Sequence, residues 1–411
     1  MRRIRQALAS HVGGLPSTFW WLWGGAFLSA LATFVFPFLA VFLTARGLSP
    51  ASAGLVVSLF GVGGVVAGPL AGALADRIGR RPTMLAALLG AASSAVWLAF
   101  LSTLPAIAAA VLAFGVTSQS IHAPFMATIA DVVPAEHRTR AYGLAYWGNN
   151  AGVGVSLLAG GLLASRGWAL PFLIDAATTL LFAAVVFKRV PETRPPGAPA
   201  PPGGGEFRGF GAVLRDRIFT AFLSLHVLFL VAFWQFQTSM PIGMTRQGFS
   251  PAAFGAVLAV NTALVALVQP WSARFLARFA PGHVLAAAAV LVGAGLGSYA
   301  FCRTALQYAA ATAVWSLGEI AYMPVASALV AELAPPDLRG RYTGSYGTAF
   351  SVSSFVAAAL GPATLQAFGA GALWTCCLGA CVAAAAGQLL LGRARATGHR
   401  IGAPPVERPA P

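Results

Sequence analysis

Charge is what this chain has least of. Only 9% of its 411 residues are Asp, Glu, Lys or Arg; eleven are acids and one is a lysine. A soluble chain of this length needs far more charge to cover its surface, so a soluble multidomain protein is excluded. Cysteine is nearly absent too. Cys302, Cys376, Cys377 and Cys381 stand without partners at metal-ligand spacing and read as small packing residues, so no metal is expected. HExxH, Gly-x-Ser-x-Gly and paired aspartates are missing, which argues against an intramembrane enzyme. The glycine-rich stretch 61–68 lacks the spacing and the strand–turn–helix setting of a nucleotide loop. No catalytic residue or cofactor is expected, and any pumping must draw on an ion gradient.

What is present is apolar. Residues 6–45, 47–75, 82–130, 141–165, 218–245, 247–273, 279–302 and 342–392 contain no charged side chain. A spanning helix needs about 20 apolar residues, so the runs 82–130 and 342–392 each hold two. Adding two segments with one internal acid each gives an all-α membrane protein of twelve spans: 17–44, 52–75, 83–102, 105–130, 141–164, 169–188, 217–243, 252–276, 283–302, 306–331, 342–367 and 371–391. The first of these exceeds a signal-peptide core and reads as an uncleaved span.

The net charge of +15 is distributed, not clustered. With the N-terminus in the cytoplasm, 22 of 26 basic residues fall on that side, leaving Arg46, Arg166, Arg246 and Arg303 opposite. This asymmetry predicts cytoplasmic termini and argues against nucleic acid as a partner. Arginine in place of lysine, with abundant Ala, Gly and Pro, suggests a GC-rich bacterium and hence its cytoplasmic membrane. The bilayer and a small-molecule substrate are the expected partners, and a monomer suffices.

The Pro- and Gly-rich stretch 191–216 cannot build a core and reads as a cytoplasmic linker. It separates a six-helix bundle at 1–190 from a second at 217–392, with a tail at 393–411. The bundles repeat one another. At a shift of 201, Ala127, Pro134, Arg138, Arg140 and Gly143 fall on Ala328, Pro335, Arg339, Arg341 and Gly344, while Asp131 and Glu136 fall on Glu332 and Asp337. Small residues recur every four positions: Gly148, Gly152, Ser156 and Gly160 in the fifth span, Ala349, Ser353, Ala357 and Gly361 in the eleventh, and Gly64, Gly68 and Gly72 in the second. Such stripes allow close helix approach, either as static packing or as a sliding interface between the bundles.

Between the second and third spans lies GALADRIGRRP, 72–82, with four charges in a chain that avoids them. An acid there can pair with arginine or with a helix N-terminus. The stretch Gly72, Asp76, Arg77, Gly79, Arg80, Arg81 resembles the loop signature of the major facilitator superfamily, and the resemblance extends over nearly the whole chain. It implies two pseudo-symmetric bundles working by alternating access, with this loop as a conformational latch. Its partners would be Asp131, Arg138, Arg140, Glu332, Arg339 and Arg341. The second-half copy has lost the acid, since Ala277 stands where Asp76 would repeat.

Ionisable groups at membrane depth are costly and are functional candidates by default. Glu319, midway along the tenth span, is the first candidate for proton coupling, as the drug-exporting relatives' acid in that span suggests; His122 and Asp175 follow. Gln119, Asn149, Asn150, His226, Trp234, Gln235, Gln237, Asn261 and Tyr322 are candidates for a cavity holding an amphipathic molecule. The chain departs from the drug-antiporter pattern at Leu112, where arginine is expected, and at Ser156-Leu157, where Gly-Pro is expected. The expected function is proton-coupled export of a small amphipathic compound. The alternatives are uptake or facilitated diffusion of a metabolite, and, from other classes, a channel, a sensor or an intramembrane enzyme.

Overall fold

The computed structural model describes residues 14–134, 137–164, 166–194, 213, 215–276, 278–335 and 338–396. Most of the linker, Glu136, Asp337, Ala277 and the end of the tail lie outside the described residues. Those described form helices and no strands. The first half comprises α1 (Ser17–Ala30), α2 (Val35–Ala45), α3 (Pro50–Arg77), α4 (Arg80–Phe100), α5 (Leu104–Gln119), α6 (His122–Val132), α7 (Arg138–Ala164) and α8 (Ala169–Arg189). The second comprises α9 (Arg217–Phe233), α10 (Gln235–Thr238), α11 (Met240–Arg246), α12 (Pro251–Leu276), α13 (Pro281–Ser298), α14 (Ala305–Leu333) and α15 (Arg339–Ala396).

Ten helical runs among the described residues are long and apolar enough to cross a membrane. One of them, Arg341–Arg395, is two helices meeting at Gly369, whose φ of 80° only glycine adopts readily. The 27-residue α7 adds a further crossing. The chain therefore spans twelve times.

Three expected spans are broken rather than continuous. The first divides at residues 31–34 between α1 and α2, the fourth at 120–121, and the seventh around α10. The first break has a clear origin. Pro37 has no N–H to give the carbonyl of Thr33 four residues earlier. The hydroxyl of Ser156 lies 3.2 Å from that carbonyl while donating more closely, at 2.7 Å, to the Val153 carbonyl of its own helix. At the start of α2, the N–H groups of Phe34 and Val35 donate to one carboxylate oxygen of Asp175, at 2.9 and 3.0 Å. In lipid each such group left unpaired costs several kcal/mol, so both side chains are built into the break.

The stripes of the fifth and eleventh spans pack within the halves. Gly148 lies on Trp23 and Gly152 on Ala30, both of α1, and Gly160 lies on Phe34 and Phe38. Likewise Ser353 donates to the carbonyl of Val227 and Gly361 abuts Gln235 and Ser239. In the fifth and eleventh spans the stripe is thus a seam to the first and seventh spans, not a sliding surface between bundles.

Contact between the halves uses other glycines. α3 packs on α15, and α7 on α12. A Cβ on Gly61 would fall 2.7 Å from the backbone nitrogen of Phe355, and one on Gly161 2.6 Å from the carbonyl oxygen of Pro251. Gly54 abuts the carbonyl of Ala358, and Gly255 that of Leu157. The N–H of Ala51 donates to Gln366 at 2.9 Å. All of these lie toward the end remote from the 72–82 loop. Toward the basic end α3 and α15 part after Gly64 and Ser351: Gly68, Gly72, Gly344 and Gly347 have nothing within 4 Å of a would-be Cβ. Gln119 and His122, halfway along the fourth span, are exposed. A cavity between the halves therefore reaches mid-depth and opens at the basic end.

Glycine-mediated closure gives a direct test. Gly161→Val is expected to cost about 1–3 kcal/mol through overpacking against Pro251, seen as a lower melting temperature in detergent. Gly68→Ala, facing open space, is expected to cost nothing.

Candidate functional site

Glu319 stands fourteen residues from either end of α14, the middle of its span. It is partly buried and points to α12, where the amide of Asn261 donates to its Oε2 at 2.6 Å and to Ser316 Oγ at 3.0 Å. Ser316 in turn donates to the Thr312 carbonyl at 2.6 Å, so the amide is held from both sides. From the first half, Tyr146 of α7 lies within electrostatic reach of Glu319 and within hydrogen-bonding reach of Asn150 and Gln269. The site thus bridges the halves through the fifth, eighth and tenth spans. The sequence reading passed over Tyr146 and Gln269. Tyr146 is one helical turn before Asn150, and Gln269 two turns past Asn261, so their shared faces were the available signal.

Across the cavity, Pro124 and Pro324 fix the local repeat register at 200, which makes Gln119 the counterpart of Glu319. Gln119 lies beside Gly64, whose other neighbour is Ser351 of α15. His122 opens α6 directly after the break in the fourth span and is exposed. Asn149 is exposed, and Asn150 donates to the Tyr146 carbonyl at 2.9 Å.

Several sequence candidates lie elsewhere. His226 and Tyr322 are fully buried in the second half, where the imidazole stacks with Phe222, Tyr322 and Tyr346. Gln235 is likewise buried, donating to the carbonyls of Val231 and Ala357 and accepting from Thr238 and Ser239. Gln235 holds the bent seventh span together, while His226 and Tyr322 belong to an aromatic core within the second half; none of the three lines the cavity in this state. Asp175 caps α2, as above. Trp234 and Gln237 are partly buried at the same bend. Trp234 meets Phe36 edge-on at 6.2 Å, and Phe36 stacks on Phe60 at 4.1 Å. This aromatic group from the first, second and seventh spans closes the cavity away from the basic end.

At the basic end the 72–82 loop folds onto its own half. Arg80 pairs with Asp76 and with Asp131, each at 3.3 Å. Gly79, at φ 107°, caps α4, and a Cβ there would strike the carboxylate of Glu192. That carboxylate accepts the N–H groups of Arg80 and Arg81, the first of α4, at 2.9 and 3.0 Å, although Glu192 is 111 residues away from Arg81. Thr193 donates to Asp131 at 2.8 Å, Arg194 to the Arg77 carbonyl, and Arg81 to the Phe187 carbonyl. Arg138 donates to the Val133 carbonyl at 3.2 Å, and Glu332 pairs with Arg395 at 2.7 Å. Arg140 and Arg341 stand in the first turns of α7 and α15, and the side chain of Arg339 lies outside the described residues. Among the described residues no ion pair joins the two halves. The Glu192 strap went unnoticed in the sequence because it sits at the edge of a segment read as linker.

Two helical bundles that close on each other at one end, open at the other and hold a lone acid at mid-depth define a multi-pass membrane transporter. The chain belongs to the Major Facilitator Superfamily, whose family model matches residues 22–358 and, in a second alignment, 226–409. It is 26% identical over 370 residues to the MFS-type transporter YqjV of Bacillus subtilis, covering 86% of this chain and 87% of the relative. It is 24% identical over 391 residues to a Na(+), Li(+), K(+)/H(+) antiporter of Planococcus maritimus, covering 86% and 89%. A stretch of 123 residues, 30% of this chain and 31% of the relative, is 35% identical to the class C tetracycline resistance protein of Escherichia coli. Among solved structures, the human organic anion transporter MFSD10 superposes with a TM-score of 0.68 at 18% identity, covering 91% of this chain and all of that one. The nucleoside transporter NupG gives 0.76 at 13% identity, covering 92% and 99%.

Burial works against ionisation of Glu192, but the four N–H groups of Arg194, Arg80, Arg81 and Thr193 outweigh it and hold its carboxyl below the ordinary 4.5. A depressed carboxylate stabilises the fold above its unfolded value and loses that contribution as pH falls through the folded one. Glu192→Gln is therefore expected to lower stability by about 1 kcal/mol at neutral pH, as for a lost helix cap. Melting curves across pH check this: the gap between wild type and variant stays constant at neutral pH and closes below 4.5.

Proposed function

We propose that this transporter exports a small amphipathic organic compound from the bacterial cytoplasm in exchange for protons, with Glu319 as the proton carrier. The observation that carries this reading is the position of Glu319. It is an acid at the centre of a spanning helix, bound by one amide, and reached from a cavity that opens at the basic end. Asp175, the other acid inside a span, has an oxygen committed to two backbone N–H groups. Glu319 has no such backbone commitment, so its proton is the one that a change of access can exchange with either side.

The basic end is taken as cytoplasmic, with both termini there, because 22 of the 26 basic residues then fall on that side. The exposed amides of Gln119 and Asn149 and the aromatic roof of Phe36, Phe60 and Trp234 suit a molecule with an apolar body and a few polar groups. Relatives that include a cation/proton antiporter, tetracycline resistance proteins and a multidrug resistance protein support export over uptake. Each cycle would run by rocking the two bundles about the site, with the 72–82 loop and its arginines engaging the second half when the basic end closes.

Flux in proteoliposomes tests the reading. With a tetracycline or another amphipathic compound as probe, the wild type is expected to move substrate and protons in opposite directions. Glu319→Gln is expected to abolish gradient-driven flux while leaving substrate-for-substrate exchange. Gradient-driven flux unchanged in Glu319→Gln would refute the assignment, and protons moving with the substrate would favour uptake.

A further inference from the structure

On the outer face of the second half, α12 and α13 diverge and leave a groove of about 640 Å³, floored by α14. Apart from Ser272 and His283 its walls are apolar, and no charged residue lines it. It is separate from the Glu319 site. Leu317, Ile320 and Ala321 face the groove, whereas Glu319 turns to the opposite side of the same helix.

Along α12 the groove runs from Val268 to Leu276 and continues past the helix end to Phe279. At 1.5 Å per residue the helical part is about 12 Å, most of one leaflet of the roughly 30 Å hydrocarbon core. Its mouth lies at the basic end. Trp271 and Phe275, 77% and 60% exposed, form a wall with no protein on its far side. A single extended hydrocarbon chain fits this shape and polarity.

The mouth has a charge to match. Arg278 stands between the two helices, exposed, and its guanidinium makes no hydrogen bond or ion pair among the described residues. In the equivalent loop of the first half, Arg80 and Arg81 are taken up by Asp76, Asp131 and nearby carbonyls, whereas Arg77, the repeat counterpart of Arg278, likewise has no side-chain hydrogen bond or ion pair among the described residues. Two features of the sequence leave Arg278 uncompensated. Ala277 replaces the repeat's acid, and no acid occurs anywhere between Asp216 and Glu319. Glu332, in the last turn of α14 at this end, is held by Arg395. His283, on the first turn of α13, adds an imidazole at the groove's edge.

From this juxtaposition we infer that the groove between α12 and α13 binds an anionic phospholipid of the basic-side leaflet. One acyl chain lies between Trp271, Phe275 and Ile320, and the phosphate sits against Arg278 and His283. A zwitterionic lipid would fill the same groove, but its own cation would compete for the phosphate. A basic pocket between spans on the cytoplasmic side is suited to anionic headgroups on general electrostatic grounds. The site would couple lipid to transport without touching substrate, because its floor is the helix that carries Glu319.

Native mass spectrometry of the full-length protein tests this, using phosphatidylglycerol, phosphatidylethanolamine and phosphatidylcholine with identical acyl chains. The wild type is expected to retain phosphatidylglycerol preferentially. Arg278→Ala is expected to weaken that retention roughly fivefold, the worth of one juxtamembrane charge, and Ala287→Phe, which fills the groove, to remove it. Melting in lipid-free detergent verifies that both variants fold. Added glycerol phosphate is expected not to displace the lipid, since the groove holds the chain. Equal retention of the three lipids would overturn the inference, as would retention of phosphatidylglycerol unchanged in folded Arg278→Ala. Displacement by glycerol phosphate would reduce the site to a free phosphate contact and overturn it as well.

Discussion

The structure depends on how closely two helix backbones can approach when one of them lacks a Cβ. Gly54, Gly61, Gly161 and Gly255 let the halves meet backbone to backbone at one end of the molecule. Without a hydrophobic drive between helices in lipid, this dense packing is what holds the end shut. At the other end the same helices carry Gly68, Gly72, Gly344 and Gly347, which touch nothing. Such a surface can close there without steric obstruction. One set of small residues is in use and another is free, which is what two alternative closures about a central site require.

The bends in the spans are a second consequence of the bilayer. Pro37 forces a gap in the first span, and the exposed backbone groups must be satisfied from within the protein. Asp175 does so at two N–H groups, and the Ser156 hydroxyl, shared with the Val153 carbonyl, lies against the Thr33 carbonyl. Gln235 and Ser353 serve the seventh span in a comparable way. Polar residues such as Asp175 and Gln235 are bound to a broken helix, whereas Glu319 and Gln119 are left to face the cavity.

Most of the architecture was legible in the sequence. Runs without charge marked the spans, the break at Gly369 fell in the gap left between the spans 342–367 and 371–391, and the loop at 72–82 identified the family. Which neighbour each face meets was not legible. A spacing of four says that small residues share a stripe, but not which neighbour the stripe meets. The seams of the fifth and eleventh spans turned out to lie within each half. His226, Gln235 and Tyr322 are polar yet buried: Gln235 satisfies the bend of the seventh span, and His226 and Tyr322 stack in an aromatic core. Glu192 could not be found from local pattern, because its partners at the start of α4 are more than a hundred residues away.

The central claim is that closure moves from one end of the molecule to the other. Pulsed spin-label distances in vesicles measure it directly, with one label pair at Gly72 and Gly344 on the basic end and another at Ala51 and Phe368 on the opposite end. When a proton gradient and substrate are applied, the account predicts a population in which the first distance shortens as the second lengthens. Both distances fixed during active transport, or both changing in the same sense, would contradict it.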